Sequence, residues 1–222
     1  MNKQVKIWEL YDSIPILLRP LFEKYTYPWE VLPHIKTYLY EIINSSPHGY
    51  REYSKGILVG EDVKIHYSAN IVAPCIIGDG TEIRCGAYIR GSVYTGKGCV
   101  IGNSTEIKNG ILFDSVQAPH YNYIGDSVLG TGTHTGAGVI LSNLKSDKTD
   151  VSVHGDTVIN TKLRKAGAFL GDGADIGCNS VLCPGTVVGK NTRAYPLSFM
   201  RGVYPAGCIV KNHPSQTVEI LN

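Results

Sequence analysis

From Val59 onward the chain places a large apolar residue at nearly every sixth position, nine times in ten as far as Phe113. Val59, Ile65, Ile71, Ile77, Ile83, Ile89, Thr95, Ile101, Ile107 and Phe113 follow one another, and the spacing resumes at Leu170, Ile176, Leu182 and Val188. Four residues after each stands a mostly small one: Val63, Ala69, Cys75, Thr81, Ala87, Val93, Cys99, Thr105 and Ile111, then Ala174, Ser180, Thr186 and Thr192. Glycine often follows the large residue, as at Gly60, Gly78, Gly96, Gly102, Gly171, Gly177 and Gly189. A period of six belongs neither to a helix nor to simple strand alternation; it is the mark of a parallel β-helix. Each hexad supplies one short strand and one turn. The large aliphatic points into a narrow interior and stacks on its counterpart one coil away. The second inward position has less room and takes Ala, Cys, Thr or Ser. One coil cannot bury its own inner face, so several must stack. Cys75 and Cys99 fall at this small inward position and read as core residues, not nucleophiles.

The first 55 residues follow a different grammar. They hold both tryptophans, a helix-start context at Tyr27-Pro28-Trp29-Glu30, and Ile35, Leu39, Ile42 and Ile43 at helical spacing before Asn44-Ser45-Ser46-Pro47 ends the run. The expected organisation is a small helical appendage over residues 1–55 and a β-helix over 56–222. The appendage is expected to cover one open end of the β-helix, where unpaired strand edges invite aggregation, and the tail after Met200 to blunt the other.

The repeat loses its phase twice. Between Phe113 and Ile124 the spacing is eleven, and between Ile124 and Leu129 it is five. The segment 144–168 has no hexad phase, carries Lys145, Lys148, Lys162, Arg164 and Lys165, and reads as an extended loop leaving the prism. Breaks in a regular repeat are where function is grafted.

Composition excludes several classes. A formal charge of +2 from 21 basic and 19 acidic residues gives no footprint for nucleic acid. No apolar run is long enough to span a membrane, and the opening MNKQVKIWELYDS is not a secretion signal. The six cysteines form no CxxC pair, so reduced thiols in a cytoplasmic protein are expected and no metal site is.

Arg90, Glu106-Ile107-Lys108, His120-x-x-Tyr123-x-Gly125-Asp126, Gly136-Ala137-Gly138 and Asn143 stand at spacings that resemble, from about residue 25 to 212, the acetyltransferase domain of the bifunctional enzyme that makes UDP-N-acetylglucosamine, and its stand-alone relatives. The resemblance implies a left-handed parallel β-helix, mainly β, working as a homotrimer with sites between subunits and using acetyl-CoA as cosubstrate. It implies acetyl transfer to the amine of an amino-sugar phosphate, like glucosamine 1-phosphate, or of a nucleotide sugar. His120 is then the general base that deprotonates the attacking ammonium. Arg90 and Lys108 are the phosphate-binding cations, Tyr123 and Asn143 the sugar-orienting residues. Ala137 offers backbone beside the thioester, where an N–H stabilises developing charge.

The chain departs from that pattern in places. Lys148 stands where the family's loop ends in a sugar-binding lysine, in a longer loop whose Arg164 and Lys165 are the alternatives. Cys178 replaces a serine of the CoA site, Pro196 a small residue there, and His134 an asparagine. His34, His48, His66, His154 and His213 are read as surface or hydrogen-bonded residues without a role. Two further readings share the prism: a non-catalytic protein that binds CoA or a sugar phosphate, favoured by Cys178 and Pro196, and a zinc carbonic anhydrase, which needs three converging histidines.

Overall fold

A computed structural model describes residues 5–212. The chain forms a left-handed parallel β-helix of three faces. The first face stacks Ile57–Val59, Cys75–Ile77 and Val93–Thr95 onto later coils. Its inward column runs Val59, Ile77, Thr95, Leu112, Leu129, Leu170 and Val188, each paired in parallel with the next. The third face pairs Ile71, Ile89, Ile107, Ile124, Leu141, Leu182 and Met200 in the same way. The second face aligns Ile65, Ile83, Ile101 and Ala118, and then Thr135, Ile176, Ala194 and Val210. From Ile77 to Val188 the first-face column is fully buried. Each aliphatic side chain so buried stabilises the fold by about 1.5–3 kcal/mol.

The small inward positions behave as the hexad requires. Cys75 and Cys99 are fully buried, and burial pushes both thiols up to about 12. Some inward hydroxyls are satisfied by carbonyls of the next coil: Thr81 Oγ1 donates to Gly96 O at 2.9 Å, and Thr105 Oγ1 to Ala118 O at 3.0 Å, whereas the buried hydroxyls of Thr95 and Thr133 meet no acceptor or donor.

The phase differs from the sequence expectation near residue 113. Leu112, not Phe113, occupies the inward place, and Ile111 packs outward. Two five-residue steps cause this, Ile107 to Leu112 and Ile124 to Leu129, and the steps between Leu112, Ala118 and Ile124 are regular. At each short step one strand rounds the corner without a separate turn: Glu106–Leu112 and Tyr123–Leu129. The residues at the two corners, Asn109 and Asp126, both take φ 47°, a left-handed geometry that Asn and Asp tolerate.

The N-terminal segment also sits elsewhere than expected. The α-helix Ile35–Ser45 forms, and Pro28 opens the 3-10 helix Pro28–His34. The segment does not close an end of the prism. It lies against the outside of the first face, where Leu58, Ile76, Tyr94, Ile111, Val128, Phe169 and Val187 form an outward apolar column. Trp29 meets Phe169 edge-on at 5.6 Å, and Phe113 packs between Tyr11 and Phe22 at 4.9 and 5.6 Å. Among the described residues, a strand pairs with the edge of the first coil only on this face, the antiparallel Arg51–Ser54. Tyr204 and Val210, beyond Met200, continue the stack on the first and second faces.

The segment 144–168 leaves the prism as an antiparallel hairpin, Ser152–His154 against Val158–Asn160. Its root is closed by a bridge between Leu144 and Lys165. Val151 and Val153 are buried with Val187 on the first face. Among the described residues no helix is long and apolar enough to cross a membrane.

Candidate active site

With the first face covered, the chemistry-bearing residues gather on the third face and its two corners. At the corner between the second and third faces, successive coils carry Asn103, His120, Ala137, Cys178 and Pro196. Asn103 pairs in register with His120. Gly138 N–H donates to the His120 carbonyl at 3.1 Å, Asn179 N–H to the Ala137 carbonyl at 2.8 Å, and Leu197 N–H to the Cys178 carbonyl at 2.9 Å. His120 ends the strand Gln117–His120 and is exposed, as is Cys178. Ala137 is half-buried.

At the opposite edge of the third face, Arg90 and Lys108 follow the paired residues Ile89 and Ile107 and so lie one coil apart. Arg90 Nη1 donates to Glu106 Oε1 at 2.6 Å, with the guanidinium over the Tyr88 ring. Lys108 is half-buried beside Gly125.

Between these edges stands Tyr123, in register with Glu106 and Ile140. Burial raises its hydroxyl above the usual range, the carboxylates of Glu106 and Asp126 adding to the shift and Asn143 opposing it. The phenol therefore stays protonated at neutral pH. A buried ladder fixes its neighbours: Asp126 Oδ1 accepts from Asn109 Nδ2 at 2.8 Å, and Asp126 Oδ2 from Asn143 Nδ2 at 2.5 Å. A carboxylate only accepts, so the orientation of the Asn143 amide is set by Asp126. Gly125 leaves the room this needs, since a Cβ there would meet Asn143 Nδ2 at 2.6 Å and Tyr123 Oη at 2.7 Å. The His-x-x-Tyr-x-Gly-Asp stretch thus carries its own packing logic.

The other sequence candidates lie in or near the hairpin. Lys148 is exposed, at φ 58°, on the turn that starts it. Arg164 and Lys165 are exposed on its return, next to Ala166, whose N–H donates to the Asn143 carbonyl at 3.0 Å. One pair escaped the sequence reading: His134 Nδ1 lies 2.8 Å from Asp175 Oδ1 on the second face. Their separation of 41 residues hides the pair in the sequence, although a register of stacked hexads places them opposite each other. Of the histidines given no role, His66 is bound to Ser68, and His213 lies outside the described residues.

Residues 71–164 match the GMPPB C-terminal domain family. The bifunctional protein GlmU of Nostoc sp. is 35% identical over 162 residues, 73% of this chain and 32% of that protein. GlmU of Cyanothece sp. is 31% identical over 161 residues, 72% of this chain and 32% of its own length. A bifunctional sugar-1-phosphate nucleotidylyltransferase/acetyltransferase of Sulfurisphaera tokodaii is 34% identical over 90 residues, 40% of this chain and 22% of that one. The chain therefore spans about a third or less of the curated relatives it matches. It is a left-handed β-helix of hexapeptide repeats that resembles the acetyltransferase domain of the GlmU-type enzymes.

Proposed function

We propose that this chain transfers an acetyl group from acetyl-CoA to the amine of an amino-sugar phosphate or nucleotide sugar. The observation that carries this reading is the third face itself. A histidine and a half-buried backbone position share one corner on adjacent coils, two cations share the other, and a protonated tyrosine stands between them. His120 is the base, Arg90 and Lys108 hold phosphate, and Tyr123 and Asn143 orient the sugar. Ala137 and Cys178 line the path of the acyl donor. Incubating the protein with acetyl-CoA and a panel of amino-sugar phosphates, then reading masses, tests it. A product heavier by one acetyl group is expected. CoA binding without acetylation of any panel member overturns it in favour of a non-catalytic binding protein, the reading that Cys178 and Pro196 support.

The active unit is a homotrimer with its sites between subunits. The first face is occupied by the chain's own helices and hairpin. One group of exposed apolar residues lies at the second–third corner, as Tyr67 at 93%, Tyr121, Tyr195 and Leu197 at 71%, with Tyr88 on the third face. Clusters of this kind mark interaction surfaces. Sedimentation equilibrium showing a single-chain mass would remove this part of the proposal.

Arg164 and Lys165 supply the acceptor phosphate with the charge that the family takes from a loop lysine, because the hairpin returns beside Asn143. Replacing both by Ala weakens a phosphorylated acceptor roughly ten- to a hundredfold, the loss of a charge-assisted hydrogen bond, and leaves CoA affinity unchanged. Titration of each ligand separately decides; weakened CoA with an unchanged acceptor assigns the pair to the donor instead.

A further inference from the structure

We propose that the cleft between the inserted hairpin and the last coils is a second anion site, which takes a phosphate group carried on a nucleoside-sized molecule. The cleft has a volume of about 280 Å³ and is lined by Lys145, Ser152, His154, Pro184, Phe199 and Arg201 among others, with no carboxylate in its lining. That volume is near the small end of ligand pockets, roughly 300–1,000 Å³.

Arg201 Nη2 and His154 Nε2 stand 3.4 Å apart. The guanidinium is always charged. If His154 is neutral, its Nε2 accepts one N–H and the rest of the guanidinium fork stays open to the cleft. If it is protonated, two cations face one space and an anion relieves their repulsion. The fork of N–H donors suits phosphate oxygens. Lys145 is held by Thr149 Oγ1 at 2.5 Å and Asp147 Oδ2 at 3.4 Å, so it contributes charge at the rim while Arg201 and His154 do the holding. Phe199, 72% exposed, adds an apolar wall for the non-phosphate part of the ligand.

The juxtaposition is built into the fold. Val153, next to His154, is buried in the cluster that includes Val187 and Val203 and anchors the hairpin to the first face. Gly202, at φ 93°, lies directly under His154: a Cβ there would meet the His154 carbonyl oxygen at 2.6 Å. Only glycine lets the hairpin approach this closely and set His154 beside Arg201.

The site is separate from the Arg90 and Lys108 pair. Arg201 follows Met200 on the same edge of the third face, four coil steps from Lys108. At a strand spacing of ~4.8 Å that is about 19 Å, too far for one phosphate to serve both. The ligand is therefore either a second phosphorylated molecule or the remote phosphate of a long one.

Isothermal titration of the full chain with CoA, UDP and inorganic phosphate in turn reads the site without turnover, so a failure of acetyl transfer leaves this inference standing. In Arg201→Ala and His154→Ala, at least one of the three is expected to bind ten- to a hundredfold more weakly, with Arg201→Lys intermediate. Loss confined to CoA identifies an acyl donor's phosphates, loss confined to UDP a nucleotide, and loss of all three a general phosphate seat. Unchanged affinity for all three in both variants overturns the proposal. Should Arg201→Ala melt early, His154→Ala, at an exposed hairpin position, carries the test alone.

Discussion

His120→Ala is expected to lose turnover by roughly 10²–10⁴, the range for removal of a general base, while melting like the parent. An amino-sugar nitrogen arrives as an ammonium and attacks a thioester only after giving up its proton. In the proposed reaction that proton passes to His120, one coil from the Ala137 backbone. Its side chain is exposed, and its main structural contact is a backbone carbonyl that accepts from Gly138 and survives truncation to Ala. The loss should therefore appear in kcat with both substrates saturating. A rate equal to the parent's at neutral pH removes His120 from the mechanism and leaves the His134–Asp175 pair as the next histidine to test.

Ile89→Asp is expected to abolish folding, while Arg90→Ala, one residue away, melts close to the parent. Ile89 is fully buried and paired with Ile71 and Ile107 on the inner column of the third face. The substitution removes a buried aliphatic and leaves a carboxyl with no partner. Burying such a group costs several kcal/mol even when it protonates, against a total stability of about 5–15 kcal/mol for a domain. Arg90 points outward, and its ion pair with Glu106 is surface-exposed, an interaction of small net worth in water. Comparable melting temperatures for the two variants would show that the inner and outer phases have been exchanged.

The same alternation explains where reading the residues succeeds and where it slips. Ile89, Ile107, Cys75 and Cys99 are placed correctly because each stands alone as the bulky or the small member of its hexad. Leu112 and Phe113 are adjacent and both apolar, and both are fully buried, one inside the prism and one under the helices. Hydropathy cannot say which faces inward. The answer comes from the five-residue step at Asn109, which only the register with Thr95 and Leu129 reveals. Among the candidate site residues, motif spacing singles out His120, Tyr123 and Asn143. The contacts that hold them, from Asn109 through Asp126 to Asn143, join positions 17 residues apart and need the coil length to be known first.

The six-residue period by itself determined the stacked coils, the identity of most core residues and the outward position of Arg90. A bulky aliphatic every sixth residue can be kept from water only by a narrow prism of stacked turns. The sequence also contained, unread, the signal for the covered face. Just before the inward residues of every third hexad stand Leu58, Ile76, Tyr94, Ile111, Val128, Phe169 and Val187, whereas in that place the second face has the polar Lys64, Glu82, Gln117, His134, Asp175 and Arg193, broken only by Val100 and Ile209 among the described residues. What only the tertiary structure decided is that the helices and the hairpin cover this outward column and not an end of the prism. A single coil shows one exposed apolar residue there, which attracts nothing. Stacked, they form a continuous apolar wall, and burying that wall leaves the third face uncovered.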